Sequence, residues 1–544
     1  MLKLVLGTSG SGKTTLLYAR IRARAEAGKR SILLVPEQFT SSTEARIYRE
    51  LGDALSGMVE SYSFTSLAEH ILAIEGGAAV QTLTDAGRAV LVRCALEELQ
   101  DNVHYYYRHR RSAAFCQMAA ETIDELKSAG LSGQQLQELA RDCGTESAKL
   151  GELALIFQGY ESLLAGTGMD PADRLELAAD RLEAALARDE LPDFLREREV
   201  FIDEFDTFNA PKKRLMGAML AALPAVTVAL CEDGAPMQPG DLELFSGAKQ
   251  VAAQLRQLAR KNGAQVAAPE LLRRDLRHKD APGLAALTEL LETGSCTPPE
   301  SAPELRLFAA ASREEEARCA AAAIRRLMRQ GVHCGKIAVV CRDISLYRAA
   351  VRYEFRMAEI PLYCDEPTTP EFSAPATAVR ALLALLRGAD MTEQLTVLAK
   401  TGLCALTEPE VCALENYAYT WSPNAAAWRA EFTKSPRGFG DAELTEEDTL
   451  NLTRAENARK KLVTAVDTLR GKVRSANAEQ ISRALYFCLK ELGAEGQQAA
   501  QVEDIRAARG IPAAEEAARE WNVVMQLLDE MARLLGSQGI TVPE

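Results

Sequence analysis

A strand–turn–helix pattern at the N-terminus constrains the fold of this chain more than any other stretch. A short apolar run at residues 2–6 leads into a glycine-rich turn with the spacing G-x4-G-K-T, and a helical pattern begins at Thr15. Backbone N–H groups of such a turn surround phosphate oxygens, and the positive end of the next helix points toward them. The pattern predicts a nucleotide-binding loop made of Gly7, Thr8, Ser9, Gly10, Ser11, Gly12, Lys13 and Thr14.

Two side chains of this loop have individual predicted roles. The Lys13 ammonium is expected to reach the β- and γ-phosphates of ATP, and the Thr14 hydroxyl is expected to hold Mg²⁺. A flexible glycine turn that only caps a helix is the alternative. The adjacent lysine and threonine argue against it.

An acidic pair after a later apolar run supplies the predicted second half of the site. Residues 199–202 form a β-prone run that ends in Asp203 and Glu204. A carboxylate at the tip of a buried strand beside a phosphate-binding loop can anchor Mg²⁺, and a neighbouring glutamate can orient and deprotonate the attacking water. We therefore predict that Asp203 and Glu204 are the catalytic pair, with Asp203 as a Mg²⁺ ligand and Glu204 as the base.

Length and charge limit the class of protein. At 544 residues the chain is too long for one hydrophobic core, and a prior of about 150 residues per domain predicts three or four units. The content of 47% hydrophobic and 6% aromatic residues indicates a globular, helix-rich protein. With a formal net charge of −14, the protein needs local basic patches wherever it binds a polyanion.

Cysteine spacing and hydropathy predict the compartment. The 12 cysteines form no C-x-x-C pair and no His/Cys cluster with zinc spacing, so we expect buried, reduced thiols. The first strand starts at the N-terminus and leaves no room for a signal peptide, and no apolar run approaches the length of a membrane span. We expect a cytoplasmic protein with no membrane contact.

A group of β-prone runs predicts one parallel sheet. Besides the N-terminal run, they lie at residues 31–35, 58–62, 199–202 and 225–231. They alternate with helical patterns, as strands do in βαβ units. Residues 82–190 carry no strand signal and predict a helical subdomain inserted into the α/β unit. Residues 241–291 also have a helical pattern.

A second α/β unit is predicted after a linker. The linker is a stretch at 293–303 that is rich in proline, serine and glycine. Beyond it, β-prone runs at 305–310 and 336–340 flank a helix that begins with a capping box at Ser312. The chain from about residue 374 to 535 then has a helical pattern throughout.

The carboxyl ends of two predicted strands carry candidate contacts to DNA. Gln38, Phe39 and Thr40 follow the second strand, on the edge where open α/β sheets bind ligands, although a plain helix start is the alternative. Phe64 follows the third strand and could stack on a base. Packing beside a Ser/Thr helix cap is the alternative for Phe64.

A segment inside the helical block is a further DNA-binding candidate. At residues 105–111 rings and cations alternate, which suits base stacking and phosphate contact. The candidates are Tyr106, Arg108, Arg110 and Arg111. A solvated helix end whose long side chains extend along the surface would have the same pattern.

The order of these parts resembles the N-terminal half of the B subunit of the AddAB-type ATP-dependent helicase/deoxyribonuclease, a relative of superfamily 1 helicases. The resemblance covers nearly the whole chain and rests on the phosphate loop and on residues 36–40, 61–64, 201–205, 312–316, 337–342 and 360–361. It implies an α/β fold with two RecA-like domains that carry large all-helical insertions.

The resemblance also implies domain boundaries. The first RecA-like domain, with the phosphate loop, would comprise residues 1–80 and 191–292, with a helical insertion subdomain at 81–190. After a linker at 293–303, a partial second RecA-like domain would occupy residues 304–372, and a second helical insertion subdomain would occupy residues 373–544.

The resemblance implies a function in DNA repair. Family members pair with an A-type helicase–nuclease to form a heterodimer. They bind double- and single-stranded DNA, use ATP and Mg²⁺, and resect double-strand breaks for homologous recombination. In the family, the nuclease domain and its iron–sulfur cluster lie in the C-terminal half. The resemblance is to the N-terminal half, so we expect this chain not to accommodate the cluster. Arg313 and Arg342 are candidates for the arginine that stabilises the transition state of ATP hydrolysis.

Two other functions fit parts of the sequence. A P-loop scaffold protein could bind nucleotide as a clamp in a DNA-repair complex without hydrolysing it, and the second sheet, which has few predicted strands, favours this alternative. A small-molecule kinase would explain the phosphate loop, but it would leave the second α/β unit without a role.

Overall fold

The computed structural model describes residues 1–77, 81–236, 244–364, 372–440, 443–474 and 476–536. The chain divides into two compact units. The first comprises Met1–Leu276 with Glu371–Glu544, and the second comprises Arg277–Pro370.

A six-stranded parallel sheet forms the centre of the first unit. Its strands are β1 (Leu2–Gly7), β2 (Ser31–Leu34), β3 (Val59–Tyr62), β4 (Glu199–Ile202), β5 (Ala225–Cys231) and β6 (Glu270–Leu272). Their order across the sheet is β3-β2-β4-β5-β1-β6. Because all pairs are parallel, the residues that follow β1, β2 and β4 lie on one edge of the sheet.

Five of these strands confirm predictions from apolar runs, with ends that agree to within one residue. The prediction of a helical pattern throughout residues 241–291 is wrong between α11 and residue 282, where the chain forms loops and β6. There, Glu270 pairs with Val5 of β1 and extends the sheet by one short strand. Three residues are too few to show a strand period, so pairing with β1 decides this structure.

Helices cover both faces of the sheet. The helices in residues 1–276 are α1 (Lys13–Glu26), α2 (Thr40–Leu51), α3 (Asp53–Ser56), α4 (Phe64–Glu75), α5 (Asp85–Glu98), α6 (Ala113–Ser128), α7 (Gly133–Arg141), α8 (Ser147–Thr167), α9 (Asp173–Ala187), α10 (Ala210–Ala222) and α11 (Ser246–Lys261). Of these, α5, α6 and α8 belong to a core separate from the sheet. Successive strand residues point to opposite faces. Val5 and Phe201 therefore share a core with α1 and α2, whereas Leu4 and Val200 share one with α4, α9, α10 and α11.

The second unit contains three helices in its described residues: α12 (Pro282–Thr293), α13 (Arg313–Arg329) and α14 (Ile344–Met357). The predicted capping box is only half formed: the Ser312 hydroxyl accepts from the Glu315 N–H at 3.2 Å, but the Glu315 carboxylate accepts from the Ala311 N–H at 2.8 Å. The predicted strands at 305–310 and 336–340 are wrong: neither pairs with a described strand, and Leu307 and Val340 are 101% and 91% exposed. Apolar composition alone cannot make a strand, because a strand needs a hydrogen-bonded neighbour.

The C-terminal part of the first unit consists of helices joined by loops, with no strand in its described residues. Its helices are α15 (Ala374–Leu386), α16 (Met391–Lys400), α17 (Glu408–Trp421), α18 (Ala425–Arg429), α19 (Glu446–Val473), α20 (Ala478–Leu492), α21 (Ala494–Arg509) and α22 (Ile511–Leu535). They surround a separate core in which the Trp428 side chain is fully buried. The helical predictions for residues 82–190 and 374–535 are confirmed in the described residues.

The two helical blocks share one core. Leu534 and Leu535 at the end of α22 pack with Val92, Phe157 and other apolar residues of α5, α6 and α8. The Glu530 carboxylate, only 4% exposed, accepts a hydrogen bond from the Thr84 N–H at 2.9 Å and another from the Thr84 hydroxyl. Thr84 is the N-cap of α5, so this buried acid completes the cap from the other end of the chain.

We expect Gly87→Ala to break this junction. A Cβ atom at Gly87 would lie 2.5 Å from Glu530 Oε1 and 2.6 Å from its Cδ, so the carboxylate must move off Thr84. Leaving buried hydrogen-bonding groups unpaired costs about 1–3 kcal/mol. Thermal unfolding should shift downward, and hydrogen exchange at the Thr84 amide should accelerate.

Gly151→Ala in α8 is the matched control for Gly87→Ala. Apart from neighbouring backbone of α8 itself, no atom lies within 4 Å of a Cβ at Gly151, so alanine should stabilise this helix by up to about 1 kcal/mol. Equal unfolding temperatures for the two variants would contradict the assigned junction.

Candidate nucleotide-binding site

The phosphate-binding loop joins β1 to α1. A Cβ atom at Gly7 would clash with Ser11 Oγ and would lie 2.8 Å from the Leu272 carbonyl oxygen, so only glycine fits there. Gly10 and Gly12 have φ angles of 80° and 91°, in the left-handed region that glycine favours. Gly12 is the N-cap of α1 and offers no side-chain acceptor, so the positive end of this helix is left to an external anion.

Two side chains of the loop fit a bound phosphate. The Lys13 ammonium donates to the carbonyl oxygens of Gly7 at 2.7 Å and Thr8 at 2.8 Å, which holds its charge at the loop. The Ser11 hydroxyl is buried and its oxygen has no hydrogen-bond partner among the described residues. An orphaned buried hydroxyl is costly, and a phosphate oxygen in the loop is the kind of partner that would satisfy it.

Asp203 lies at the tip of β4 and faces the start of α1. Its N–H donates to the Leu34 carbonyl of β2 at 3.1 Å, so it is anchored to the sheet directly after the strand ends. Burial raises the pKa of its carboxyl, while the nearby Thr14 hydroxyl, the hydrogen bond from the Glu204 N–H and the charge of Lys13 act in the opposite direction. The structure therefore brings together Thr14 and Asp203, the two predicted Mg²⁺ ligands.

Glu204 has an unusual backbone. Its φ angle is 64°, a conformation that glutamate adopts at an energetic cost, and its N–H donates to Asp203 Oδ1 at 3.0 Å. The pKa of its carboxyl is raised by burial and by the neighbouring Asp203, whereas the Arg46 guanidinium lowers it. A carboxylate with a raised pKa is a better proton acceptor, as the predicted role of base requires.

Sequence reasoning missed two residues beside this pair. The Arg46 guanidinium of α2 lies over the Tyr18 ring of α1, 4.7 Å from its centroid. Burial raises the pKa of Tyr18 to about 12, and the charges of Arg46, Asp203 and Glu204 all act on it. No spacing rule links these residues to the loop, because only the packing of α1 and α2 on one face of the sheet brings them there.

Residues 273–276 also pass close to the loop. The Leu276 N–H donates to the Gly10 carbonyl at 2.9 Å, and its Cδ1 atom would be 3.1 Å from a Cβ at Gly12. This segment continues from β6, so the missed strand explains why its proximity to the loop was also missed.

The candidate DNA contacts after β2 and β3 differ in exposure. Gln38 is exposed, while Phe39 and Thr40 are partly buried, and the Thr40 hydroxyl donates to the Glu37 carbonyl at 2.9 Å. Phe64 is 2% exposed and packs edge-on against Phe205 at a centroid distance of 5.2 Å. Phe64 therefore presents no free face to a base. The alternative of packing beside a helix cap is confirmed by the capping box of Ser63 and Ser66.

The candidates in the helical block form a partly packed turn. Tyr106 stacks on Phe115 at 5.5 Å, and the Arg110 guanidinium lies 3.9 Å from the centroid of the Tyr107 ring. Arg108 and Arg111 are exposed. Contact of this turn with DNA stays a prediction, carried by its exposed arginines.

We expect Mg-ATP affinity to fall as the pH is lowered, at a higher pH than for an ordinary exposed carboxyl. The raised pKa of Asp203 means that its carboxyl takes up a proton early in the acid titration, and a protonated carboxyl is a poor Mg²⁺ ligand. Nucleotide titrations between about pH 5 and pH 8 measure this loss. The same titration with Asp203→Asn is the control, because protonation of ATP itself affects both proteins equally. Identical pH dependence in both proteins would contradict the assignment.

The remaining predictions about the chain can be compared with the described residues. Of the 12 cysteines only Cys116, Cys404 and Cys488 are buried, so the expectation of buried thiols is wrong for most of them. No helix in the described ranges is long and apolar enough to cross a membrane. No group of three His, Cys, Asp or Glu side chains in these ranges could hold a metal ion without further ligands.

Comparisons with known proteins agree on one family. A family model described as ADDB, N-terminal, matches residues 4–288. The chain is similar to the B subunit of the ATP-dependent helicase/deoxyribonuclease of Moorella thermoacetica, at 30% identity over 100% of this chain and 48% of that protein. The B subunits of the same name from Desulforudis audaxviator and Heliobacterium modesticaldum are 29% and 28% identical, over 100% and 98% of this chain and 48% and 45% of their own lengths. The chain thus spans about half the length of the curated relatives it matches.

Proposed function

Because the chain belongs to the AddB family, through the N-terminal region of that family, we propose that it is the ATP-binding, helicase-like half of a B subunit in an ATP-dependent helicase/deoxyribonuclease. In this proposal it works in the cytoplasm as a heterodimer with an A-type subunit and helps to resect double-strand DNA breaks for recombinational repair. Family membership argues against the small-molecule kinase alternative. We assign nuclease activity to no residue of this chain.

The observation that carries the proposal is the proximity of the Thr14 hydroxyl to the buried Asp203 carboxyl, close enough to lower the pKa of that carboxyl. It brings the start of α1 to the tip of β4, where one Mg²⁺ ion could bind both side chains and the phosphates of ATP. Lys13 would bind the β- and γ-phosphates, and Glu204 would accept the proton of the attacking water. The orphaned Ser11 hydroxyl supports a phosphate ligand in the loop.

The proposal includes a second RecA-like domain at residues 304–372. The alternation of the apolar stretch at 305–310, α13, the stretch at 336–340 and α14 supports it. Arg313 and Arg342 of this unit remain candidates for the transition-state arginine.

Mixing the chain with the A-type subunit and blunt-ended DNA tests the proposal. We expect one complex in analytical ultracentrifugation that forms with ATP and is weakened in the Lys13→Ala variant. Single-stranded tails on the DNA should raise its affinity if the edge at Gln38 and the turn at Arg108 bind single strands. If the chain associates with neither the A-type subunit nor the DNA, the proposal is refuted.

A nucleotide clamp that does not hydrolyse ATP is the second candidate. It is favoured by the second unit, where the described residues include no strand that could complete an inter-domain ATP site. Measuring ATP hydrolysis with and without single-stranded DNA separates the two candidates. Turnover that DNA stimulates, and that Glu204→Gln removes, would exclude the clamp.

A further inference from the structure

Arg46 is a cation at the candidate site that binds no described acid. Its Nε atom is buried and has no hydrogen-bond partner among the described residues. No ion pair joins the guanidinium to a carboxylate in the described ranges, and the guanidinium lies over the face of the Tyr18 ring. Burying an unpaired guanidinium nitrogen costs free energy, so the arrangement is incomplete as it stands.

The location of Arg46 shows what could complete it. Arg46 lies on α2, which follows β2, and β2 is the direct neighbour of β4 in the sheet. The charge of Arg46 acts on both Asp203 and Glu204 at the β4 tip. The guanidinium is thus near both carboxylates but paired with neither, which leaves its donors to a ligand at the β4 tip.

The charge balance at the β4 tip calls for such a cation. The terminal phosphate of a nucleotide brings further negative charge to Asp203 and Glu204, and like charges repel. The charge of Lys13 also acts on Asp203, but its ammonium is held by the carbonyls of Gly7 and Thr8, and it is Arg46 whose positive charge acts on Glu204. An arginine beside the acidic pair would offset this repulsion, and its planar fork suits two oxygens of one phosphate.

We propose that Arg46 binds the terminal phosphate of the nucleotide from within the same domain, with the Tyr18 ring holding its guanidinium in place. The inference rests on the proposed nucleotide site and adds a residue that distinguishes nucleoside triphosphate from diphosphate. Arg46 differs from Arg313 and Arg342 because it belongs to the unit that contains the phosphate loop.

Comparing ATPγS and ADP affinities by calorimetry, with Mg²⁺ present, tests this assignment. Arg46→Gln should weaken ATPγS binding by about 10–100-fold, because it removes charge-assisted hydrogen bonds to the terminal phosphate, and should leave ADP binding nearly unchanged. Arg49→Gln is the control, since Arg49 is an exposed arginine on the same helix. It should change neither affinity.

Arg46→Lys is the control for a folding defect. Lysine keeps the positive charge over Tyr18 but lacks the planar guanidinium that can bind two phosphate oxygens. Its preference for ATPγS over ADP should also fall. If both Arg46 variants keep the wild-type preference, or lose affinity for the two nucleotides equally, the assignment is overturned. A wild-type protein that binds neither nucleotide would instead refute the proposed nucleotide site itself.

Discussion

Replacing Lys13 with alanine is expected to lower Mg-ATP affinity by about 10–100-fold, because each hydrogen bond to a charged group contributes about 1.5–3 kcal/mol. Any ATP turnover should fall further, by about 10²–10³-fold, since the ammonium is aimed at the phosphates whose charge changes during hydrolysis. Titration with a fluorescent ATP analogue measures the first effect, and phosphate release measures the second.

Lys29→Ala is the matched control for Lys13→Ala. Lys29 is exposed just beyond the far end of α1, so its removal should leave nucleotide binding intact. The Lys13 ammonium also bonds to the Gly7 and Thr8 carbonyls, so far-ultraviolet circular dichroism should show that the variant keeps its fold. Wild-type ATP affinity in folded Lys13→Ala would remove the loop from the proposed site.

Glu204→Gln is expected to separate binding from hydrolysis. Loss of a general base typically lowers turnover by about 10²–10⁴-fold, while glutamine keeps the size of the side chain. Removing the negative charge next to Asp203 should also leave Mg-ATP affinity equal to that of the wild type or raise it. Single-turnover hydrolysis and equilibrium binding measured on the same sample give both quantities.

Glu197→Gln provides a control with the same strained backbone. Glu197 has a φ angle of 60° and is exposed before β4, at the opposite end of the strand from Glu204. Its substitution should not affect turnover. Should Glu204→Gln hydrolyse ATP at the wild-type rate, Glu204 is not the base and the clamp becomes the better account of any ATP binding.

Local spacing predicted the parts of the site that lie within one strand–turn–helix step. The loop from Gly7 to Thr14 and the acidic pair after β4 each depend on neighbours in sequence, and the sheet then brings them together. Arg46 and Leu276 could not be found this way. Their positions depend on which helix packs beside α1 and on which strand pairs with β1, and neither leaves a local pattern.

The wrong predictions share a physical cause. The stretch at 305–310 is apolar enough for a strand, but in the described residues it has no partner to satisfy its backbone. Phe64 has the chemistry to stack on a base, but α4 turns its ring toward Phe205 in the core. The chemistry of a side chain limits the interactions that it can make, whereas the tertiary contacts determine which of them it makes.

The bond between Glu530 and Thr84 has a consequence for synthesis of the protein. These residues are 446 positions apart, so a ribosome that adds about 5–20 residues per second needs roughly 20–90 s to make the second partner after the first. During that interval the apolar surface of α5 and α8 that α22 covers stays open on the nascent chain. We therefore expect fragments that end before α22 to aggregate or to bind chaperones, even though their phosphate loop is complete.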